Sequence, residues 1–332
     1  MQIVRAESDL EKIKAGAVLT IGNFDGVHIG HRAILSTAKQ VAEQKQTEIV
    51  VMTFQPHPLS ILNPKRAPSP LMPPVLKEHL LSELGVGILF TAKSEPELLN
   101  LSAEDFVERL IVKGIRPSAI VEGEDFNFGR KRAGSVHTLQ KLVEAKSIEV
   151  VIVEPKKANL ADGHTVEVSS TAIRDMVTKG KIADAAILLG RPYRLIGDIV
   201  PGRGKGKQLG FPTLNLKKPQ QTIPAEGVYA GLVKIGDSEE QVCFTKEKIP
   251  AAFSIGRATT YGAGQSLLIE AHLLVENAER FRCRWMAMDF VTYIRPQRRF
   301  ESPQALAAQI ADDCAAARNI LTTQTIENSE MR

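Results

Sequence analysis

The sequence predicts two domains of different class. The first is an α/β domain on a Rossmann-like parallel sheet; the second is a run of antiparallel strands, a small barrel or sandwich, ended by a helix. Short β-branched runs alternating with amphipathic segments predict the first domain. Strands separated by turn residues, with no helices between, predict the second. At the junction, Gly190-Arg191-Pro192 closes a short helix, because glycine accepts a left-handed cap and proline cannot continue the helix. The boundary therefore falls with 1–187 in one domain and 188–332 in the other, each long enough to bury a core.

In the first domain, strands are expected over Ala17–Ile21, Glu48–Phe54, Val86–Phe90, Ser118–Val121 and Ile148–Val153. Helices are expected over Arg32–Gln44, Val75–Leu84, Ala103–Lys113 and Ser135–Ala145. The proline-rich stretch from Pro56 to Pro74 is expected to be loop, since proline interrupts both ladders. In the second domain, Tyr193–Val200, Gly227–Ile235, Gln241–Thr245, Leu267–Val275 and Cys283–Ile294 read as strands, with turns such as Gly236-Asp237-Ser238 and Gly262-Ala263-Gly264. A helix over Pro303–Leu321 follows, and the polar tail beyond it is expected to fray.

Composition bounds the function. The net charge is +4, with the two signs interspersed, so nothing favours nucleic acid or an acidic membrane. The 3 cysteines are odd in number and lack C-x-x-C spacing, which argues against a disulfide framework or a zinc site. There is no secretory signal and no apolar run near the ~18 residues of a membrane span. A soluble cytoplasmic protein is expected, of undetermined oligomeric state.

The chemistry-bearing motifs of the first domain all follow strands, where ligands bind in parallel sheets. After the first strand comes Gly22-Asn23-Phe24-Asp25-Gly26-Val27-His28-Ile29-Gly30-His31, a glycine-rich turn leading into a helix and a natural phosphate site. His28 and His31, three residues apart, face one way if the helix begins near them. Thr53-Phe54-Gln55-Pro56-His57-Pro58 follows the second strand, and Glu122-Gly123-Glu124-Asp125-Phe126-Asn127-Phe128-Gly129-Arg130 the fourth. Ser169-Ser170-Thr171-Ala172-Ile173-Arg174 opens a helix after the fifth. Each has an ordinary structural explanation too: a tight turn, a core aromatic, an N-cap. Their convergence on one rim points to nucleotidyl transfer. There the attacking phosphate is already anionic, and the protein supplies positive charge and donors rather than a strong base. His28, His31, the amides near Gly26 to Gly30, and Arg174 with Ser169 to Thr171 are the candidates. The Walker pattern is absent from this half.

These motifs resemble the H-x-G-H and S-S-T-x-I-R signatures of the nucleotidyltransferase α/β-phosphodiesterase superfamily. In order, they are similar to the adenylyltransferase module of the prokaryotic bifunctional riboflavin kinase/FAD synthetases. The resemblance implies that Gly22, Asn23, Phe24, Asp25, Gly26, His28, Gly30, His31, Ser169, Ser170, Thr171 and Arg174 hold ATP. It also implies that Phe54, Pro56, Pro58, Asp125 and Phe128 lie on the FMN side, where aromatic and proline faces suit a flat ring.

In the second domain, Gly202-Arg203-Gly204-Lys205-Gly206-Lys207-Gln208-Leu209-Gly210 is a glycine and lysine loop. It reads either as a flexible basic turn or as a phosphate wrap through Gly202, Gly204, Lys205, Gly206 and Gly210. It leads to Thr213 and Asn215, whose neutral oxygens share a strand face and suit Mg²⁺ carried in with ATP. Glu270 lies in the apolar run Leu268 to Leu274, on one face with Leu268 and His272; it is either solvent-facing or a base in a closed site. The loop and the glutamate resemble the riboflavin kinase barrel of the same family. There Thr213 and Asn215 match the magnesium ligands and Glu270 the base for the riboflavin 5′-hydroxyl, while Tyr229 and Arg295 fall in matching segments assigned to the flavin side. Two segments depart from the family pattern: Ser254-Ile255-Gly256-Arg257-Ala258-Thr259-Thr260-Tyr261 lacks its proline, and Arg280-Phe281-Arg282-Cys283 stands where D-L-Y-G is usual. The expectation is a bifunctional enzyme using riboflavin, FMN and ATP; the competing reading keeps only adenylyl transfer, with a flavin-binding or regulatory barrel.

Overall fold

The structure is a computed structural model that describes residues 1–258, 266–276, 281 and 283–330, with backbone alone for 258 and 324–330. Thr259, Thr260, Tyr261, Arg280 and Arg282 of the two departing segments, and the expected turn at Gly262-Ala263-Gly264, lie outside the described residues. Contacts divide the chain into two compact units. One comprises Met1–Ser69, Lys77–Ala158 and Val166–Val168; the other comprises Pro70–Leu76, Asn159–Thr165 and Ser169–Arg332.

The first unit holds a parallel sheet. Its strands are β1 (Gln2–Val4), β2 (Val18–Ile21), β3 (Ile49–Gln55), β4 (Ile88–Lys93), β5 (Ala119–Gly123) and β6 (Glu149–Val153), in the order β1-β4-β3-β2-β5-β6. Leu19, Ile21, Val50, Met52, Phe90 and Ile120 are buried in its core, as a sheet covered on both faces requires. The chain winds outward from β2 in one direction through β3 and β4, then returns to β5 and β6, so the order reverses between β2 and β5. That reversal is where open α/β sheets bind ligands. β1 is an edge strand missed by the sequence reading, being only three residues long and pairing with the distant β4. The stretch between Pro56 and Pro74 is not all loop: Pro58–Leu62 and Pro64–Arg66 are short helical turns. Proline starts each of them, at the position whose missing N–H is not needed.

The second unit contains a closed antiparallel barrel. Its strands are β7 (Tyr193–Val200), β8 (Leu214–Leu216), β9 (Gly227–Gly236), β10 (Ile249–Ala258), β11 (Ser266–Leu273) and β12 (Trp285–Arg295), ordered β7-β8-β11-β10-β9-β12. Tyr193, Tyr229, Phe253 and Phe290 fill the interior with tilted or edge-on ring contacts. The expected strand Gln241–Thr245 is instead the helix Glu239–Phe244. The Ser238 hydroxyl accepts the Gln241 N–H and the Gln241 side-chain oxygen accepts the Asp237 N–H, a reciprocal cap that outweighs the β-branched pattern. The strand in that region is β10. The last helix, Pro303–Glu330, runs past Leu321 because no proline or glycine interrupts it. Its Cys314, Ala317 and Leu321 pack on Ala230, Ala252, Leu274 and Val291 of the barrel's outer surface. Among the described residues, no helix is long and apolar enough to cross a membrane.

Candidate active site

In the first unit, Ile21 ends β2 and the loop from Gly22 begins at the reversal point. The β2–β5 ladder pairs Val18 with Ala119 and Leu19 with Ile120. Beyond it the Glu122 carboxyl, 2% exposed, accepts the Ile21 N–H and ties the strand end that launches the loop. Burial raises this carboxyl well above the usual carboxylate range, against the opposing pull of that hydrogen bond. Glu122 was read only as part of a motif; nothing in sequence reveals that its carboxyl faces β2. Because the native state holds this proton more tightly than the unfolded chain, its stabilisation is present at acid pH and is lost as pH rises through the raised value. Glu122→Gln is expected to flatten that alkaline decline in thermal unfolding, since a neutral amide oxygen still accepts the Ile21 N–H.

The loop is backbone-strained and tightly packed. Phe24 and Val27 have φ of 47° and 38°, left-handed values that cost energy for non-glycine residues, and both are buried. Helix Ile29–Gln44 starts three residues earlier than expected, with His28 as its N-cap: the His28 Nδ1 accepts the His31 N–H at 3.2 Å. The rings of His28 and His31 stack with centroids 3.6 Å apart, so the two do face one way. A Cβ at Gly30 would sit 3.1 Å from His28 Nδ1, which explains the glycine. With Nδ1 an acceptor, a neutral His28 carries its proton on Nε2, a donor for an anion. Asp25 is buried in the same loop. The sequence reading missed Lys77: its ammonium donates to the Asn23 carbonyl at 2.8 Å, and desolvation lowers its pKa.

Phe54 is half-buried, Pro58 likewise, and Pro56 and Asp125 are exposed. Phe128 is 6% exposed and sits in an aromatic cluster with Phe106 and Phe126. Ser169 caps helix Ser170–Thr178 by accepting the Ala172 N–H, and Arg174 is half-buried one turn in. Ser169, Ser170, Thr171 and Arg174 belong to the second compact unit.

In the barrel, register decides what meets. Asn215 of β8, Glu270 of β11 and Ser254 of β10 are directly opposed neighbours, so their side chains share one face. Thr213 donates its hydroxyl to Glu270 Oε1 at 3.4 Å, and Asn215 is 9% exposed. Burial raises the Glu270 pKa, opposed by the Thr213 hydroxyl and the Arg203 charge. The glycine loop folds tightly against this row: a Cβ at Gly202 would lie 2.2 Å from Asn215 Nδ2, and one at Gly206 would lie 2.4 Å from the Phe211 carbonyl. Gly204 and Gly210 have φ of +72° and +88°. Lys205–Gln208 forms a single helical turn inside the loop.

Tyr229 and Arg295 are not in this row. Tyr229 opposes Phe253, which opposes Ala271, so it projects from the opposite face to Glu270; it is fully buried, its hydroxyl donating to the Ala225 carbonyl. Arg295 is spent on Asp313 of the last helix through a bidentate pair at 2.7 and 2.6 Å.

Comparison with known proteins accounts for both units. Residues 10–172 match the FAD synthetase family model and residues 189–321 the riboflavin kinase model. The bifunctional riboflavin kinase/FMN adenylyltransferase of Escherichia coli K12 is 33% identical, over 96% of this chain and 97% of its own length. The chain belongs to the bifunctional riboflavin kinase/FMN adenylyltransferase family. The Pseudomonas fluorescens protein of that name is 34% identical over 96% of this chain and 97% of its own. The crystal structure of a macrolide-efflux protein from Streptococcus pneumoniae superposes with a TM-score of 0.82 at 27% identity, covering 96% of this chain and 99% of that one. The chain therefore has both an FAD synthetase and a riboflavin kinase domain.

Proposed function

We propose that the chain makes FAD from riboflavin in two ATP-dependent steps, the kinase step in 188–332 and the adenylyl transfer mainly in 1–187. In the first step the riboflavin 5′-hydroxyl attacks the γ-phosphorus of ATP, its proton passes to Glu270, and ADP leaves, giving FMN. In the second, a phosphate oxygen of FMN attacks the α-phosphorus of ATP and pyrophosphate leaves. The observation that carries this reading is the pairing of a capped, stacked His28–His31 motif with a separate Thr213–Asn215–Glu270 row. One set supplies donors to an anion; the other supplies a base to an alcohol.

Thr213 and Asn215 are proposed to hold Mg²⁺. The donor set fits: the Thr213 hydroxyl and the Asn215 amide oxygen are hard oxygen ligands beside the Glu270 carboxylate, and Gly202 and Gly206 let the loop backbone approach Asn215 and the Phe211 carbonyl more closely than any Cβ would allow. The ion would neutralise charge developing on the transferred phosphoryl group. Asn23, His28, His31, Ser170, Thr171 and Arg174 are proposed for the ATP of the second step, and Phe54, Pro56, Pro58 and Asp125 for FMN. The three free cysteines fit a reducing cytoplasm.

Product analysis after incubation with riboflavin, ATP and Mg²⁺ tests the whole reading: FAD is expected, and no FMN or FAD would refute the kinase step. Gly202→Ala tests the barrel alone. The added Cβ must displace Asn215, and a displacement of about 1 Å costs on the order of 100-fold in rate. FMN formation is expected to fall by that order while FAD formation from supplied FMN is unchanged.

A further inference from the structure

Asn23 and His57 meet across the ends of β2 and β3, and their hydrogen bonds fix where the His57 proton sits. The Leu59 backbone N–H donates to His57 Nδ1 at 3.2 Å. A backbone N–H can only donate, so Nδ1 carries a lone pair and a neutral His57 bears its proton on Nε2. That Nε2 lies 3.2 Å from the amide nitrogen of Asn23, while Asn23 Oδ1 is buried without a hydrogen-bond partner. Two donors do not bond, and the oxygen and nitrogen of an asparagine amide are interchangeable in shape. Turning the amide by 180° removes the donor–donor contact, because Oδ1 then accepts the Nε2–H of His57; it also places the NH₂ in the buried position, where it has no acceptor among the described residues.

The Asn23 backbone is already pinned, its carbonyl accepting the Thr53 hydroxyl at 3.3 Å and the Lys77 ammonium at 2.8 Å. What remains is a desolvated NH₂ held at the start of the phosphate loop, needing an acceptor. We propose that His57 is a positioning residue for adenylyl transfer, which holds the Asn23 side-chain oxygen and thereby presents the Asn23 amide N–H groups to an acceptor atom of ATP. The inference rests on the assignment of Asn23 to ATP in the second step. It also gives His57 a task distinct from its neighbours Pro56 and Pro58, assigned to the flavin.

The competing role for His57 is visible in the same bonds: it caps the short helix Pro58–Leu62. Two variants of the full-length protein separate the roles. His57→Asn keeps a capping acceptor for the Leu59 N–H but is too short to reach Asn23. His57→Gln places an amide N–H near the former Nε2 and gives up the cap. Steady-state FAD formation from FMN and ATP is expected to show the ATP KM raised roughly 10- to 100-fold in His57→Asn, as for loss of a donor to a charged acceptor. His57→Gln is expected to stay near the native value, with the KM for FMN unchanged in both. Rescue by Asn and not by Gln, or a rise confined to the KM for FMN, would overturn the proposal. Nitrogen-15 NMR of the native protein reads the tautomer without turnover: a proton on Nε2 is expected, and one on Nδ1 overturns the proposal. A native protein that forms no FAD from FMN and ATP would instead refute the adenylyl-transfer reading, with the tautomer still deciding the His57–Asn23 geometry.

Discussion

Glu270→Gln in the full-length protein is expected to lower FMN formation from riboflavin by about 10²–10⁴-fold, the usual contribution of a general base, while FAD formation from supplied FMN continues at the native rate. The two reactions differ in this respect because one starts from a neutral alcohol and the other from an anionic phosphate. Glutamine keeps the shape and can still accept the Thr213 hydroxyl, so the fold has no reason to change. The native pH profile carries a second signature. Burial is the largest influence on Glu270 and raises its pKa, with Thr213 and Arg203 pulling the other way. The kcat/KM for riboflavin phosphorylation should therefore fall, as pH drops, at a value above that of an ordinary glutamate. Unchanged FMN formation in Glu270→Gln would remove Glu270 from the proton transfer.

His28→Ala is expected to reduce FAD formation from FMN by about 10²–10³-fold, the cost of removing one preorganised donor to a transition-state oxyanion, without loss of FMN binding or of kinase activity. Alanine also removes the N-cap of helix Ile29–Gln44, worth about 1 kcal/mol. His28→Asn separates the two effects, because asparagine is a strong N-cap and carries no donor at the Nε2 position. A matching loss of rate in both variants, with Asn restoring the unfolding midpoint, assigns the loss to the donor. Full activity in His28→Asn would make His28 a helix cap and nothing more.

The legible parts of the molecule were those written in local periodicity and turn chemistry. The alternation of β2, β3, β4 and β5 with helices could be read because these strands are largely buried on both faces and hence nearly continuous in apolar residues, and the half-buried edge strand β6 was legible from its run of valine and isoleucine. Glu270 alternates with Ile269 and Ala271 as a half-buried strand should. The short β1 carried too little pattern to read. Gln241–Thr245 misled because β-branched character was weighed above the cap formed by Ser238 and Gln241. Lys77, and the task of Glu122 within its motif, escaped notice because their partners, Asn23 and Ile21, are distant in sequence.

By itself, then, the sequence determined the class of both domains, the order of the phosphate motifs, and which residues have the right chemistry, because these depend on spacing within a few residues. Only the tertiary structure decided the rest. Strand register set Asn215, Glu270 and Ser254 in one row and turned Tyr229 to the opposite face, since a side chain's face alternates at every residue and pairing fixes its phase. Burial raised the Glu122 pKa, and two hydrogen bonds from far along the chain decided where the backbone of Asn23 is held. These are long-range facts: they depend on which groups lose water and which neighbours replace it, and neither is encoded in any single stretch of the chain.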